Sequence, residues 1–265
     1  MLARTVLEDV ATELGRAGVD TLAVKGIVTA TWLYADPSER PLGDVDVRIR
    51  PADFGEAYRV CQRAGWDVSR RVWTYRNLTL TVKGFPVDVE SYVGPPGLAA
   101  LAVTEMFDRA TRDPGGFWVP EPHDHAVLLT VNVFKDKLTR AFPWSLDDAE
   151  RVVRAKGIDV GMFVERLRQA RVMALGWVVA DWMVRERKSE GWGEVLARIE
   201  RTGRPRPRFT RVVRDLVARD DPFSLPLRLL ARMASDDPTR WPGAILRSAA
   251  WEIEQRWDGR WRAPR

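Results

Sequence analysis

Asp44 and Asp46 stand two residues apart in the segment RPLGDVDVRIR, and Asp88 sits in the later segment FPVDVE. Side chains two positions apart on a strand leave the same face of a sheet. Carboxylates held that close repel each other, and each is costly to keep charged unless a cation lies between them. A divalent cation resolves the conflict, because it binds carboxylate oxygens and substrate phosphates together. Mg²⁺, with Mn²⁺ as the alternative, is therefore the expected metal. Asp88 stands between Val87 and Val89 in the same alternation. From a neighbouring strand it would be a third metal ligand, or the base for an attacking hydroxyl. Acidic residues also gather at strand ends for solvation alone, so the preceding segment matters. There Lys25-Gly26 ends an apolar run 18 residues before Asp44. Glycine at a strand-to-helix junction lets backbone N–H groups approach a phosphate closely. Lys25 adds a point charge for that phosphate. Arg40, four residues before Asp44, has two readings open: a phosphate contact or an ion pair to the aspartates.

Elements that would position these residues are readable along the chain. Leu2, Val6, Leu7, Val10, Ala11 and Leu14 recur at helical spacing ahead of Gly18. TLAVKG (21–26) reads as a buried strand, IVTATWLYAD (27–36) as a short helix, and VDVRIR (45–50) as an alternating strand. A helix runs from Pro51 to Gly65, followed by strands over 66–75, 78–84 and 85–93 and a helix over 98–111. From about Asp124 onward the patterns are almost wholly helical. The expected fold is α+β, with a small mixed sheet in a first domain (1–115) and a helical domain after it (116–265).

The order of these parts carries a resemblance. The run from AVKG through RPLGDVDVRIR to the helix ending at Gly65 is similar to an uncharacterised nucleotidyltransferase family of the polymerase-beta-like nucleotidyltransferase superfamily. The similarity continues through VDVE (87–90) and VPEPHDHAVLLTVNVFKDK (119–137), and weakly to about residue 185. It implies that Asp44 and Asp46 hold the metal, that Asp88 is the third carboxylate, and that Gly26 lies against the triphosphate. The implied reaction moves an NMP from an NTP to an acceptor hydroxyl or phosphate, with a small molecule or biosynthetic peptide favoured as acceptor. Two alternatives stand beside it: a toxin-like enzyme acting on tRNA or protein, and a nucleotide-binding protein without turnover. The chain departs from the pattern twice. Ile27 stands where the superfamily has serine after the glycine, and Glu90 stands where many relatives carry histidine.

Composition sets the remaining bounds. The chain has 265 residues, a net charge of +5 and a single cysteine, Cys61, so no internal disulfide forms. No apolar run approaches the roughly 18–20 residues of a membrane span, and the acid-interrupted N-terminus reads as an amphipathic helix, so the cytoplasm is expected. The basic segments 201–214 and 256–265 would suit a phosphate-bearing partner such as tRNA. His123 and His125 flank Asp124, expected to cap a helix; a metal reading of H-x-H lacks any further histidine in the chain. Lys83 is expected on the surface, and Lys135 and Lys137 at a helix C-terminus, where the dipole favours cations. Of the 12 tryptophans, Trp177, Trp182, Trp192, Trp241, Trp251, Trp257 and Trp261 fall in the helical half, where helix-packing core is expected over stacking on a base, while Trp32, with Tyr34, should pack on the sheet.

Overall fold

In the computed structural model, the residues described are 2–136, 138, 140–203, 207–217 and 233–261. Lys137, Arg204, Arg206, residues 262–265 and the side chains from 255 onward lie outside them. Helix α1 (Leu2–Arg16) buries the expected stripe. It ends at Gly18, whose φ of 75° lets the Val19 N–H reach back to the Leu14 carbonyl at 3.0 Å. Strand β1 (Leu22–Val24) runs into α2 (Gly26–Trp32), β2 (Val45–Arg48) and α3 (Phe54–Arg63). The meander β3 (Asp67–Val72), β4 (Asn77–Val82) and β5 (Phe85–Glu90) follows. After α4 (Val103–Arg109) come two short strands, β6 (Thr111–Arg112) and β7 (Trp118–Val119), which sequence patterning did not mark. The sheet order is β3-β4-β5-β2-β1-β7-β6. Strand β2 lies parallel to β5 and antiparallel to β1, so the sheet is mixed and the α+β expectation holds.

Helices α5 (Pro122–Lys135), α6 (Pro143–Val152), α7 (Val160–Gln169), α8 (Met173–Arg187), α9 (Glu190–Arg201), α10 (Pro207–Val217) and α11 (Trp241–Trp261) complete the described chain. Alternation gives the sheet two differently used faces. Val45, Val47, Val87 and Val89 pack with α1 and α3 in one core. Leu22 and Val24 join Phe134, Trp177 and Trp192 in a second core with the helices. The odd valines of β2 and β5 therefore turn their polar neighbours toward the helical half.

Several local expectations change. Residues 98–102 are not helical: Gly97 has φ 92°, and Ala100 donates its N–H to the Ala170 carbonyl at 2.7 Å, so the apolar run docks against the α7–α8 corner. Glu121, not Asp124, caps α5, accepting from the N–H groups of His123 and Asp124. Asp124 is fully buried and paired with Arg109 at 2.8 Å and Arg166 at 3.0 Å. Trp32 and Tyr34 pack on the helical half, not on the sheet: Trp32 stacks on His125 and Tyr34 donates to Asp148. Lys83 is exposed as expected and meets Asp9.

Candidate functional site

The register of the sheet builds the site. Asp46 pairs with Asp88 across β2 and β5, and Arg48 pairs with Glu90 one step along. Beyond β5, Thr79 faces Asp88, while Val24 of β1 faces Asp46 on the other side. Asp44 lies just before β2, exposed at the rim, whereas Asp46 is buried. Asp46 and Asp88 are thus neighbours across β2 and β5, and Asp44 lies two residues before Asp46. Burial first, and then the charges of Asp46 and Asp88, raise the Asp44 carboxyl above its usual range. Burial also raises Asp88, against a 2.7 Å hydrogen bond from the Thr79 hydroxyl.

Lys25 reaches this row from the end of β1. Its Nζ lies 2.6 Å from Asp46 Oδ1. Burial works against its charge, but Asp46 and Glu90 outweigh that and raise its pKa. Its backbone sits at φ 55°, ψ −135°, a conformation that costs a non-glycine residue about 1–3 kcal/mol and recurs at functional sites. His125 holds it there, accepting the Lys25 N–H on Nε2 at 2.9 Å. Burial, then the charge of Arg48, pushes His125 down to about 3, so the ring is neutral and carries its proton on Nδ1. His123 likewise accepts a backbone N–H, from Asp159 at 3.0 Å. The two histidines are struts between segments, a role their spacing did not disclose.

Glu90 meets Arg48. Burial opposes its charge, yet Arg48 and then Lys25 hold it down to about 2. Arg40 pairs with neither Asp44 nor Asp46. Its guanidinium grips Asp148 of α6, with Nη2 at 3.0 Å and Nε at 3.1 and 3.2 Å. Asp148 also accepts from the Tyr34 hydroxyl at 2.9 Å and the Thr29 hydroxyl at 3.0 Å. This buried hub ties α2 and the loop before Asp44 to the helical half, and sequence reasoning missed it. The one available signal was a lone acid on the buried face of an amphipathic helix. Gly26 lies beneath that loop: a Cβ there would come within 2.9 Å of Leu42 Cδ2 and 3.2 Å of Arg40 Nη2.

A cleft of about 670 Å³ opens over these residues. Lys25, Gly26 and Arg40 line it with the three aspartates, and Lys135, Phe142 and Trp144 come from the helical half. A smaller cavity of about 260 Å³ adjoins it across Asp88 and Glu90.

Fold and site together define an α+β protein whose acidic cleft lies between a mixed sheet and a helical half. Residues 1–185 match the family model described as uncharacterised nucleotidyltransferase, and the chain belongs to that family. Among solved structures it is similar to the solution structure of the antibiotic-resistance factor ANT(2'')-Ia, at 11% identity and a TM-score of 0.45, over 63% of this chain and 89% of that one. It is also similar to the crystal structure of a tRNA nucleotidyltransferase complexed with a primer tRNA and an incoming ATP analog, at 12% identity and a TM-score of 0.28, over 94% of this chain and 99% of that one. No curated protein matches it. No described helix is long and apolar enough to cross a membrane.

Proposed function

We propose that this protein is a divalent-metal-dependent nucleotidyltransferase that moves an NMP from an NTP to the hydroxyl or phosphate of an acceptor. The observation that carries the reading is the carboxylate row: Asp46 in register with Asp88, and Asp44 at the rim of the same cleft. Among the described residues no three His, Cys, Asp or Glu side chains form a ready metal cage. The donor chemistry nevertheless fits Mg²⁺ or Mn²⁺: hard carboxylate oxygens, with Asp44 and Asp88 raised first by burial and then by the neighbouring carboxylates. Lys25 makes its direct ion pair with Asp46. Asp44, Asp46 and Asp88 would hold the metal. Once bound, it would neutralise charge on the transferring phosphoryl group.

The chain's own groups position the reactants. Lys25, Gly26 and Arg40 take the triphosphate side of the cleft, and Asp88 accepts the proton of the attacking hydroxyl. The hydroxyl oxygen bonds to the α-phosphorus, the bond to the bridging oxygen breaks, and pyrophosphate leaves with the electron pair. A division into catalytic and helical domains just after β7 (Trp118–Val119), which pairs with β1 and β6 and so lies a few residues beyond 115, belongs to the same proposal, as does a cytoplasmic location. The test is thermal denaturation with Mg²⁺ or Mn²⁺ and each NTP. Nucleotide with metal should raise the melting temperature of the wild type, and Asp46→Asn should remove most of that rise. Equal stabilisation of both proteins refutes the assignment.

A further inference from the structure

The two adjoining cavities share Lys25, Asp88, Glu90 and Lys135 and differ in the charged groups around them. Among the described residues lining the large cleft, Asp44, Asp46, Asp88, Glu90, Asp136 and Asp148 outnumber Lys25, Arg40 and Lys135. In the small cavity the lining cations Lys25, Arg48, Arg70 and Lys135 outnumber the lining acids Asp88 and Glu90, with Lys25 paired to Asp46, Arg48 to Glu90 and Lys135 to Asp136. Arg48 is buried in its wall, and the Arg48 Nε–H has no hydrogen-bond partner among the described residues. The outer wall is Trp251 of α11, stacked on Tyr75 with ring centroids 5.6 Å apart and planes at 20°. Glu254, one turn on, fixes that helix to the β3–β4 turn, accepting from the N–H of Trp73 at 2.6 Å and of Thr74 at 3.2 Å. At about 260 Å³ the cavity is at the small end of small-molecule sites, which run from about 300 Å³ upward.

We propose that the small cavity is the acceptor site and that it takes a small anionic molecule bearing a hydroxyl, such as a sugar phosphate or hydroxy acid. This rests on the nucleotidyl-transfer reading above. Acid-rich walls suit a nucleotide accompanied by divalent cations, and cation-rich walls suit an anion and repel an amine-bearing acceptor. Aromatic faces beside polar groups suit a ring carrying hydroxyls. Asp88 lines both cavities. An acceptor hydroxyl at that shared wall can therefore bond the α-phosphorus across it, while pyrophosphate leaves on the cleft side and the proton passes to Asp88. A cavity this small, walled by α11, admits a small molecule and not a folded RNA or a protein surface.

The test uses three probes that share one ring and differ in charge: glucose 6-phosphate, glucose and glucosamine. Calorimetry on the full chain should show glucose 6-phosphate binding at least about tenfold tighter than glucose, with glucosamine weaker still. Arg70→Glu and Lys135→Glu should each weaken glucose 6-phosphate about tenfold, the scale of one charge-assisted contact. Arg70 is partly buried and Lys135 exposed, so the two variants should fold, and their melting curves verify it. Absence of binding by all three probes, equal or tighter binding of glucose or glucosamine, or indifference to both charge reversals overturns the proposal. Melting shifts with Mg²⁺ and NTP on the same samples separate the two readings. Nucleotide stabilisation without the charge preference defeats the acceptor assignment alone. Charge-selective binding without any nucleotide stabilisation or pyrophosphate release defeats the transfer reading, and the acceptor role with it.

Discussion

Replacing Asp148 by asparagine tests whether the buried hub holds the cleft in shape. The side chain is 1% exposed and accepts from Arg40, Tyr34 and Thr29. Its partner guanidinium is 11% exposed and stays charged at any working pH. An amide of the same shape still accepts from Tyr34 or Thr29, so the loss falls mainly on Arg40. Removing one partner of a buried ion pair costs about 3–5 kcal/mol, because the other charge is left uncompensated. For a chain of this size that corresponds to a fall in melting temperature on the order of 10 °C. Arg40 also packs against Gly26 and precedes Asp44 in the same loop. Pyrophosphate release should therefore fall even well below the melting transition. The double variant Arg40→Met/Asp148→Asn removes both charges, keeps an acceptor for Tyr34 or Thr29, and should regain most of the stability while transfer stays low. A single variant that melts within about 2 °C of wild type, or a double variant that recovers transfer with stability, would refute the hub's positioning role.

Three further perturbations follow from the same geometry. Lys25→Met leaves buried Asp46 without its 2.6 Å cation, so the metal-free protein should lose roughly 3–5 kcal/mol and Mg²⁺ alone should stabilise the variant more than the wild type; an equal Mg²⁺ effect in a melting series contradicts this. Gly26→Ala gains up to about 1 kcal/mol of helix propensity against about 1–3 kcal/mol of overpacking at Leu42 and Arg40. Its melting temperature should fall by several degrees at most while nucleotide-dependent stabilisation weakens, and unchanged nucleotide stabilisation counts against a triphosphate beside Gly26. Burial pushes the Cys61 thiol up from 9.0 to about 11, which favours the neutral folded form. That contribution, about 2–3 kcal/mol, is fully present below pH 9 and is lost as pH rises to about 11. Denaturant titrations should show a smaller alkaline loss in Cys61→Ala than in the wild type, by about that amount, since Tyr34, also raised by burial and Asp148, contributes a loss to both.

The candidate carboxylates were legible in the sequence because strand periodicity is local. Val45, Val47, Val87 and Val89 turn Asp46 and Asp88 to one face whatever else the chain does. The same holds for α1, whose apolar stripe and Gly18 stop lie within one segment. Short elements were not legible: β6 and β7 are two residues each, too brief to show a period, and they form by pairing with each other and with β1. Trp251 illustrates the same limit, since a tryptophan expected in the helical core instead walls a cavity by stacking on Tyr75 of the β3–β4 turn.

By itself, then, the sequence determined that acids would share a strand face near a Lys-Gly strand end, because those relations span a few residues of regular backbone. Only the tertiary structure decided what each charge meets. Arg40 was open between phosphate and aspartate, and its partner Asp148 lies 108 residues away. Asp124 suited a cap, but burial against Arg109 and Arg166 gave that place to Glu121. His125 holds Lys25 in a left-handed conformation across a separation of 100 residues. Coulomb and hydrogen-bond energies depend on distance and burial in space, and neither is encoded in spacing along the chain once the partners come from different elements.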